Sequence, residues 1–258
     1  MHTIDLNVDL GEGCDNDIPL LDHATSINVA CGWHAGDAVT MRTLAAAAAQ
    51  RGIAIGAHPG YPDRAHFGRR SMALPPDEIY AGVLYQVGAL AAIVKALGAG
   101  ARLAHVKPHG ALYHDAERRS EVAEAIVAAV RDLDPSLVMF GLAGGELIAA
   151  ARRAGLATAS EAFADRGYLP DGTLIPRSEP DALISRVEEI TQRAVELVKH
   201  GRVRGRGGDW TPVRADTLCL HGDGPHALEF AAQIGAAMRS AQVRIARRPV
   251  SPRMPVLQ

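Results

Sequence analysis

Acidic, imidazole and lysine side chains recur just behind short apolar runs along this chain. Asp9 and Glu12 follow TIDLNVDL, and Cys31, His34 and Asp37 follow or end SINVAC. His58 ends IAIGAH, with Asp63 and Arg64 close behind. Lys107 ends RLAHVK and opens Lys107-Pro108-His109-Gly110, ahead of Tyr113. Further on stand Asp165 and Arg166, then Pro176-Arg177-Ser178, and finally His221-Gly222-Asp223 at the end of TLCLH. Together these types supply general acids, general bases and an electrophilic clamp. A lysine among other basic groups suits an anionic substrate or a phosphoryl group. Asp9, His34, His58 and His109 are also ligand types for a divalent metal. No HxxxH or HExxH pair fixes two such ligands on one helix.

Each residue also has a plain structural reading. A histidine at a strand end often serves as a hydrogen-bonding fixture, Asp9 could cap the next segment, and Lys107 could be a surface lysine. Cys31 could be a nucleophile or a small buried thiol. Gly141-Leu-Ala-Gly-Gly145 could seat an anion at a helix N-terminus or simply turn the chain. There is no GxxxxGK[ST] phosphate loop and no GxSxG nucleophile elbow. What carries weight is the joint pattern, in which nearly every apolar run delivers a titratable group at the same end.

The elements that would position these groups alternate. Strand-like runs cover Thr3–Leu10, Ser26–Cys31, Ile53–His58, Arg102–Lys107, Leu137–Leu142, a weaker stretch near Thr158–Ala164, and Thr217–His221. A last run, Val243–Ala246, reads as an eighth strand or a cap. Helical periodicity covers Ala38–Arg51, Pro76–Leu97, Ser120–Leu133, Gly145–Ala154, Asp181–His200 and Pro225–Ala241. Pro75-Pro76 ahead of Asp77-Glu78, with Gly98 beyond, marks both ends of one of them. Such alternation implies parallel strands joined by helical crossovers. Seven or eight units in this length suggest a closed or nearly closed βα barrel, with an open doubly wound sheet as the alternative. The GxGxxG fingerprint that would favour the open sheet is absent after the first strand. In a βα barrel the chemistry collects at the C-terminal strand ends, where these residues stand. Arg202–Trp210 (RVRGRGGDW) reads as a mobile loop, and the proline-containing tail as irregular.

Length and composition agree with this reading. The chain has 258 residues, 48% hydrophobic and 22% charged, which suits a globular protein and excludes a disordered one. The expected organisation is one barrel domain over residues 1–246 and a tail over 247–258. A net charge of -2 gives no general reason to expect nucleic acid or an anionic membrane as partner. Cys14, Cys31 and Cys219 form no disulfide framework or zinc ribbon and fit a reducing compartment. The N-terminus lacks signal-peptide blocks, and no apolar run is expected to match the length of a membrane span. A cytoplasmic protein is expected.

At this point a resemblance emerges. The segments Asp5–Gly13 (DLNVDLGEG), Asn28–Asp37 (NVACGWHAGD), Gly56–Arg64 (GAHPGYPDR), Phe67-Gly-Arg69, His105–Tyr113 (HVKPHGALY), Phe163–Tyr168 (FADRGY), Leu174–Ser178 (LIPRS) and Cys219–Asp223 (CLHGD) resemble, in order, the LamB/YcsF family. The match runs from about residue 3 to 245. Trp33 stands where the family pattern has phenylalanine, and the tail lies outside the pattern.

The resemblance implies a (β/α) barrel of the glycoside hydrolase/deacetylase type with seven strands. It implies the A component of a 5-oxoprolinase, which opens 5-oxoproline to L-glutamate with consumption of ATP and works with separate B and C subunits. ATP makes chemical sense, because a lactam carbonyl is a poor electrophile and phosphorylation of its oxygen gives a good leaving group. On this reading Lys107 and Arg177 bind carboxylate or phosphate, and Asp9, His58 and His109 transfer protons. Glu12, His34, Asp165 and His221 orient the substrate or bind a divalent metal. Two other readings use the same residues: a stand-alone metal-dependent deacetylase or amidohydrolase, and a non-catalytic lactam-binding component.

Overall fold

Alternation in the first run decides what the barrel holds. In the computed structural model, which describes residues 1–98, 100–220 and 226–247, strand β1 (Thr3–Leu10) turns Ile4, Leu6, Val8 and Leu10 to the apolar core and Asp5, Asn7 and Asp9 to a polar network. Both faces are buried. The chain continues through α1 (Asp17–Leu20), β2 (Ser26–Ala30), α2 (Ala38–Gln50), β3 (Ala54–His58), α3 (Pro76–Ala96), β4 (Leu103–Val106), α4 (Gly110–Ala116), α5 (Ser120–Leu133), β5 (Val138–Leu142), α6 (Glu146–Arg153) and β6 (Ala157–Phe163). It ends with α7 (Val187–His200), β7 (Arg202–Arg204), β8 (Trp210–Pro212), β9 (Thr217–Leu220), α8 (Ala227–Ser240) and β10 (Arg244–Ile245).

Seven parallel strands close on themselves in the order β1-β2-β3-β4-β5-β6-β9. Closure is the pairing of β9 with β1, Asp5 opposite Thr217 and Val8 opposite Leu220. The open-sheet alternative is thereby set aside. The last run is a cap: β10 pairs with Thr3 and Ile4, below the stretch of β1 that β9 occupies.

Barrels of this kind are usually filled with branched apolar side chains. This one holds a hydrogen-bonded polar column instead. Asp5 accepts from Thr25 Oγ1, Ser26 Oγ and Thr217 Oγ1 at 2.7, 2.7 and 2.6 Å. The Asn7 amide donates to Glu161 and Thr217, and Asn28 donates to Asn7 Oδ1 and Asp9 Oδ1 at 2.7 and 2.8 Å. His105 Nε2 meets Asn28 Oδ1 at 2.8 Å and its ring stacks on Phe140. A buried polar group without a partner costs about 1–3 kcal/mol, so these residues persist here as a connected set.

The helices form the outer wall. Asp37 caps α2, its Oδ1 accepting from the Thr40 amide at 2.8 Å. Helix α3 has 21 residues and enough apolar character to match a membrane span in length, contrary to the expectation that no run does so. Its Ile79, Val83, Val87, Leu90 and Val94 are buried in the core of the described residues.

Three further expectations need correction. Helix α7 begins at Val187 instead of Asp181, because the segment before it is held extended: the buried Arg166 guanidinium donates to the carbonyls of Ala182 and Ile175. Arg202–Trp210 is not a loop but most of an antiparallel hairpin, β7 with β8, in which Val203 is buried and Arg202 and Arg204 lie over the Trp210 ring. Finally, α4 follows directly after His109, where the sequence pattern marks no helix. The tail beyond residue 247 lies outside the described residues.

Candidate active site

Four donor side chains meet at the C-terminal end of the barrel. Glu12 stands after β1, His34 after β2, His58 at the end of β3 and His109 after β4. Glu12 Oε1 lies 3.1 Å from His109 Nδ1, 3.3 Å from His34 Nε2 and 3.7 Å from His58 Nε2. His109 Nδ1 is also 3.0 Å from His58 Nε2. The outer ring nitrogens are held by backbone: His58 Nδ1 donates to the Lys107 carbonyl at 2.7 Å, and His109 Nε2 to the Phe67 carbonyl at 2.8 Å. Since a carbonyl only accepts, these contacts place a hydrogen on each outer nitrogen, so that a neutral ring offers its inner nitrogen as a lone pair.

The rings are packed as well as bonded. His34 and His109 stack at 3.7 Å with their planes 1° apart. Gly68 lies against both at φ +62°, where an added Cβ would come within 2.7 Å of His34 Cβ and 3.0 Å of His109 Cδ2. Burial pulls His34 down to about 4 and His58 down to about 3. Burial pushes the Glu12 carboxyl up, but the imidazoles of His109 and His34 beside it outweigh this and hold the group well below the usual carboxylate range.

Lys107 forms a second, adjoining cluster. Its ammonium is 2.9 Å from Asp9 Oδ1, 3.0 Å from Glu161 Oε1 and 2.9 Å from Cys219 Sγ. Burial works against its charge, yet Asp9, Cys219 and Glu161 keep its pKa well above that of an ordinary lysine. The two clusters touch where Asp9 Oδ2 stands 3.6 Å from His58 Nε2. Lys107 is therefore no free surface cation but is held by carboxylates inside the barrel. Nothing in the sequence pattern singles out Glu161. Burial raises its pKa, with Lys107 opposing.

A cavity of about 490 Å3 opens over these groups. Asp9, Glu12, His58, Lys107 and His109 line it, together with Arg69, Arg118, Arg166 and Arg177. Burial lowers the Arg166 pKa to about 10, still far above neutrality. The sequence pattern assigns an anion-binding role only to Arg177; it marks Arg166 at a strand end and Arg69 within a family segment without a role, and does not mark Arg118. Tyr113 also lines it, its hydroxyl facing Glu161.

Other expected residues serve elsewhere. Asp165 does not line the cavity, although its neighbour Arg166 does. Asp37 is the cap of α2. Arg64 donates to the Gly32 and Gly36 carbonyls and ties two loops together. Cys31 is buried outside the cavity lining with Sγ donating to the Val29 carbonyl at 3.1 Å, and burial pushes its thiol up to about 12, which suits the packing reading. The helix N-terminus after Gly145 is occupied from within by the Glu117 carboxyl, whose Oε1 accepts from the Leu142 amide at 3.2 Å. Trp33 packs over Gly82 of α3, outside the cavity lining. His221 lies outside the described residues.

A closed seven-stranded parallel barrel, with carboxylates, imidazoles and a lysine gathered at its C-terminal mouth, defines a (β/α)7-barrel protein with an enzyme-like centre. The chain belongs to the LamB/YcsF family, whose model matches residues 4–252. The lactam utilization protein from Thermus thermophilus is 44% identical and superposes with a TM-score of 0.89, covering 95% of this chain and 100% of that one. A family 4 carbohydrate esterase from Streptomyces lividans covers 95% of this chain and 91% of its own at 9% identity, with a TM-score of 0.49.

Proposed function

We propose that this chain is the A component of an ATP-dependent 5-oxoprolinase. It opens 5-oxo-L-proline with ATP and water to L-glutamate, ADP and phosphate, together with separate B and C subunits. The observation that carries this reading is the adjacency of Asp9 and His58, 3.6 Å apart, in a cavity also lined by four arginines. Proton-transfer groups beside a strongly cationic lining suit a substrate that is itself anionic and is activated by phosphate. Family membership and the similarity to a lactam utilization protein support it further.

The chemistry balances with two waters. The lactam oxygen attacks the γ-phosphorus of ATP, an O–P bond forms and ADP leaves. Water adds to the activated carbon, and the C–N bond breaks as the ring nitrogen takes up a proton. A second water releases phosphate from the resulting acyl phosphate. On this reading Arg177 and Arg69 hold the substrate carboxylate and the phosphates. Lys107 holds Asp9 by Oδ1, and Asp9 Oδ2, turned toward His58, takes a proton from the attacking water. His58 and His109 face the same space with one lone pair each. A divalent ion held by Glu12, His34, His58 and His109 would supply Lewis-acid polarisation of an oxygen. Cys14, Cys31 and Cys219 form no disulfide among the described residues, in keeping with a cytoplasmic site of action.

The imidazole cluster gives a second reading some weight, that of a stand-alone metal-dependent amidohydrolase. One assay separates the two: glutamate formation from 5-oxoproline, with and without ATP, by this chain alone and with its B and C partners. Turnover that requires both ATP and the partners supports the oxoprolinase component. Amide hydrolysis by this chain alone, without ATP and lost on chelation, supports the amidohydrolase. Lactam binding, with complex turnover unchanged by Asp9→Asn, would reduce the chain to a binding component.

A further inference from the structure

We propose that Glu12, His34, His58 and His109 form a binding site for one divalent first-row transition-metal ion of the zinc type. The inference stands on these four side chains and does not depend on the lactam reading.

Spacing is the first argument. In a tetrahedral site the distance between donor atoms is about 1.6 times the bond length, so bonds of about 2.0–2.1 Å place donors about 3.3–3.4 Å apart. Four of the separations here are 3.0, 3.1, 3.3 and 3.7 Å, and all four donor atoms lie within 4.8 Å of one another. The donors come from four different strand ends, so no single turn or helix imposes this match.

Orientation is the second. The carbonyls of Lys107 and Phe67 take the outer N–H groups of His58 and His109, which is how metal-bound imidazoles are ordinarily held. With both rings neutral, two lone pairs face each other across 3.0 Å. Such a gap is stable only with a cation in it, either a proton or a metal. With a third imidazole and a carboxylate at the same point, the donor set fits a metal. Three nitrogens and one carboxylate oxygen favour Zn2+ or Co2+ over the hard ions Mg2+ and Ca2+, which take oxygen ligands. His34 adds an independent sign: it is buried, and its Nδ1 has no hydrogen-bond partner among the described residues, so the ring is placed by its Nε2 side.

The test uses the full chain, stripped with a chelator, reloaded with Zn2+ or Co2+ and desalted. The expected result is one ion per chain by elemental analysis, a visible Co2+ spectrum of tetrahedral type, and a higher melting temperature with Zn2+. Glu12→Gln keeps the side-chain volume and should weaken Zn2+ binding at least as much as loss of an outer partner does, about 10- to 100-fold. His58→Gln should do the same and change the Co2+ spectrum. A folded wild-type chain that retains no ion at micromolar Zn2+, or variants that bind as tightly as wild type, would overturn the proposal. Glutamate formation plays no part in these readouts, so failure of the lactam reading would leave the result intact.

Discussion

Lys107 Nζ lies 2.9 Å from Asp9 Oδ1, with only 3% of the lysine side chain and 5% of the aspartate side chain exposed. The pair joins β1 to the end of β4 inside the barrel, and Glu161 from β6 completes it. Removing the cation strands two buried acids. Lys107→Met should therefore destabilise the chain by about 3–5 kcal/mol in urea unfolding. Adding Glu161→Gln removes one stranded acid and should recover about 1–3 kcal/mol. A loss below about 1 kcal/mol for Lys107→Met would mean that the pair behaves like an exposed one.

Arg177 lines the cavity without belonging to the buried polar network. If it holds an anionic substrate, Arg177→Gln removes one charge-assisted hydrogen bond, about 1.5–3 kcal/mol. Steady-state kinetics of the complex should show KM raised about 10- to 100-fold, with urea stability within about 0.5 kcal/mol of wild type. An unchanged KM would remove Arg177 from the site.

Much of this site is legible in the sequence, because parallel strands separated by helices place their C-terminal ends at one mouth. Asp9, His58, Lys107 and His109 announce themselves in that way. Glu161 does not, since it lies within β6 and its meaning depends on facing inward toward a lysine from another strand. Glu12, not Asp9, joins the three imidazoles. That choice depends on the turn through Gly11 and Gly13, both at positive φ, and on Lys107 holding Asp9. Closure of the barrel is equally invisible to local pattern, for it rests on residues 5–8 meeting residues 217–220. Arg202–Trp210 resembles a loop because glycine and arginine mark loops by composition, whereas stacking of two guanidinium groups on Trp210 makes a hairpin.

Glu117 should leave a signature in the pH dependence of stability. Burial raises its pKa to about 7 in the folded chain, against an ordinary value of 4.5. Between those values the native state holds a proton that the unfolded state has lost. The stabilisation is full below about pH 4.5 and is lost as the pH rises through 7, by up to about 3 kcal/mol. Glu117→Gln cannot ionise and keeps an acceptor for the Leu142 amide. Its unfolding free energy should fall less than that of wild type between pH 5 and pH 8. Parallel curves for the two proteins would show that Glu117 does not titrate in this window.

Gly68 tests whether the imidazole cluster depends on its backing. At φ +62° an alanine costs about 1–2 kcal/mol for the left-handed backbone alone. Its Cβ would also press on His34 Cβ at 2.7 Å and His109 Cδ2 at 3.0 Å, and neither ring can retreat without breaking the 3.7 Å stack. Gly98 is the control, with φ +68° and nothing within 4 Å of the added carbon. Both alanine variants should lose the backbone contribution in urea unfolding. Only Gly68→Ala should lose more, and only Gly68→Ala should reduce turnover of the assembled complex. Equal stabilities and equal turnover for the two variants would mean that the cluster tolerates displacement of its rings, and that its geometry is less restrictive than the stacking implies.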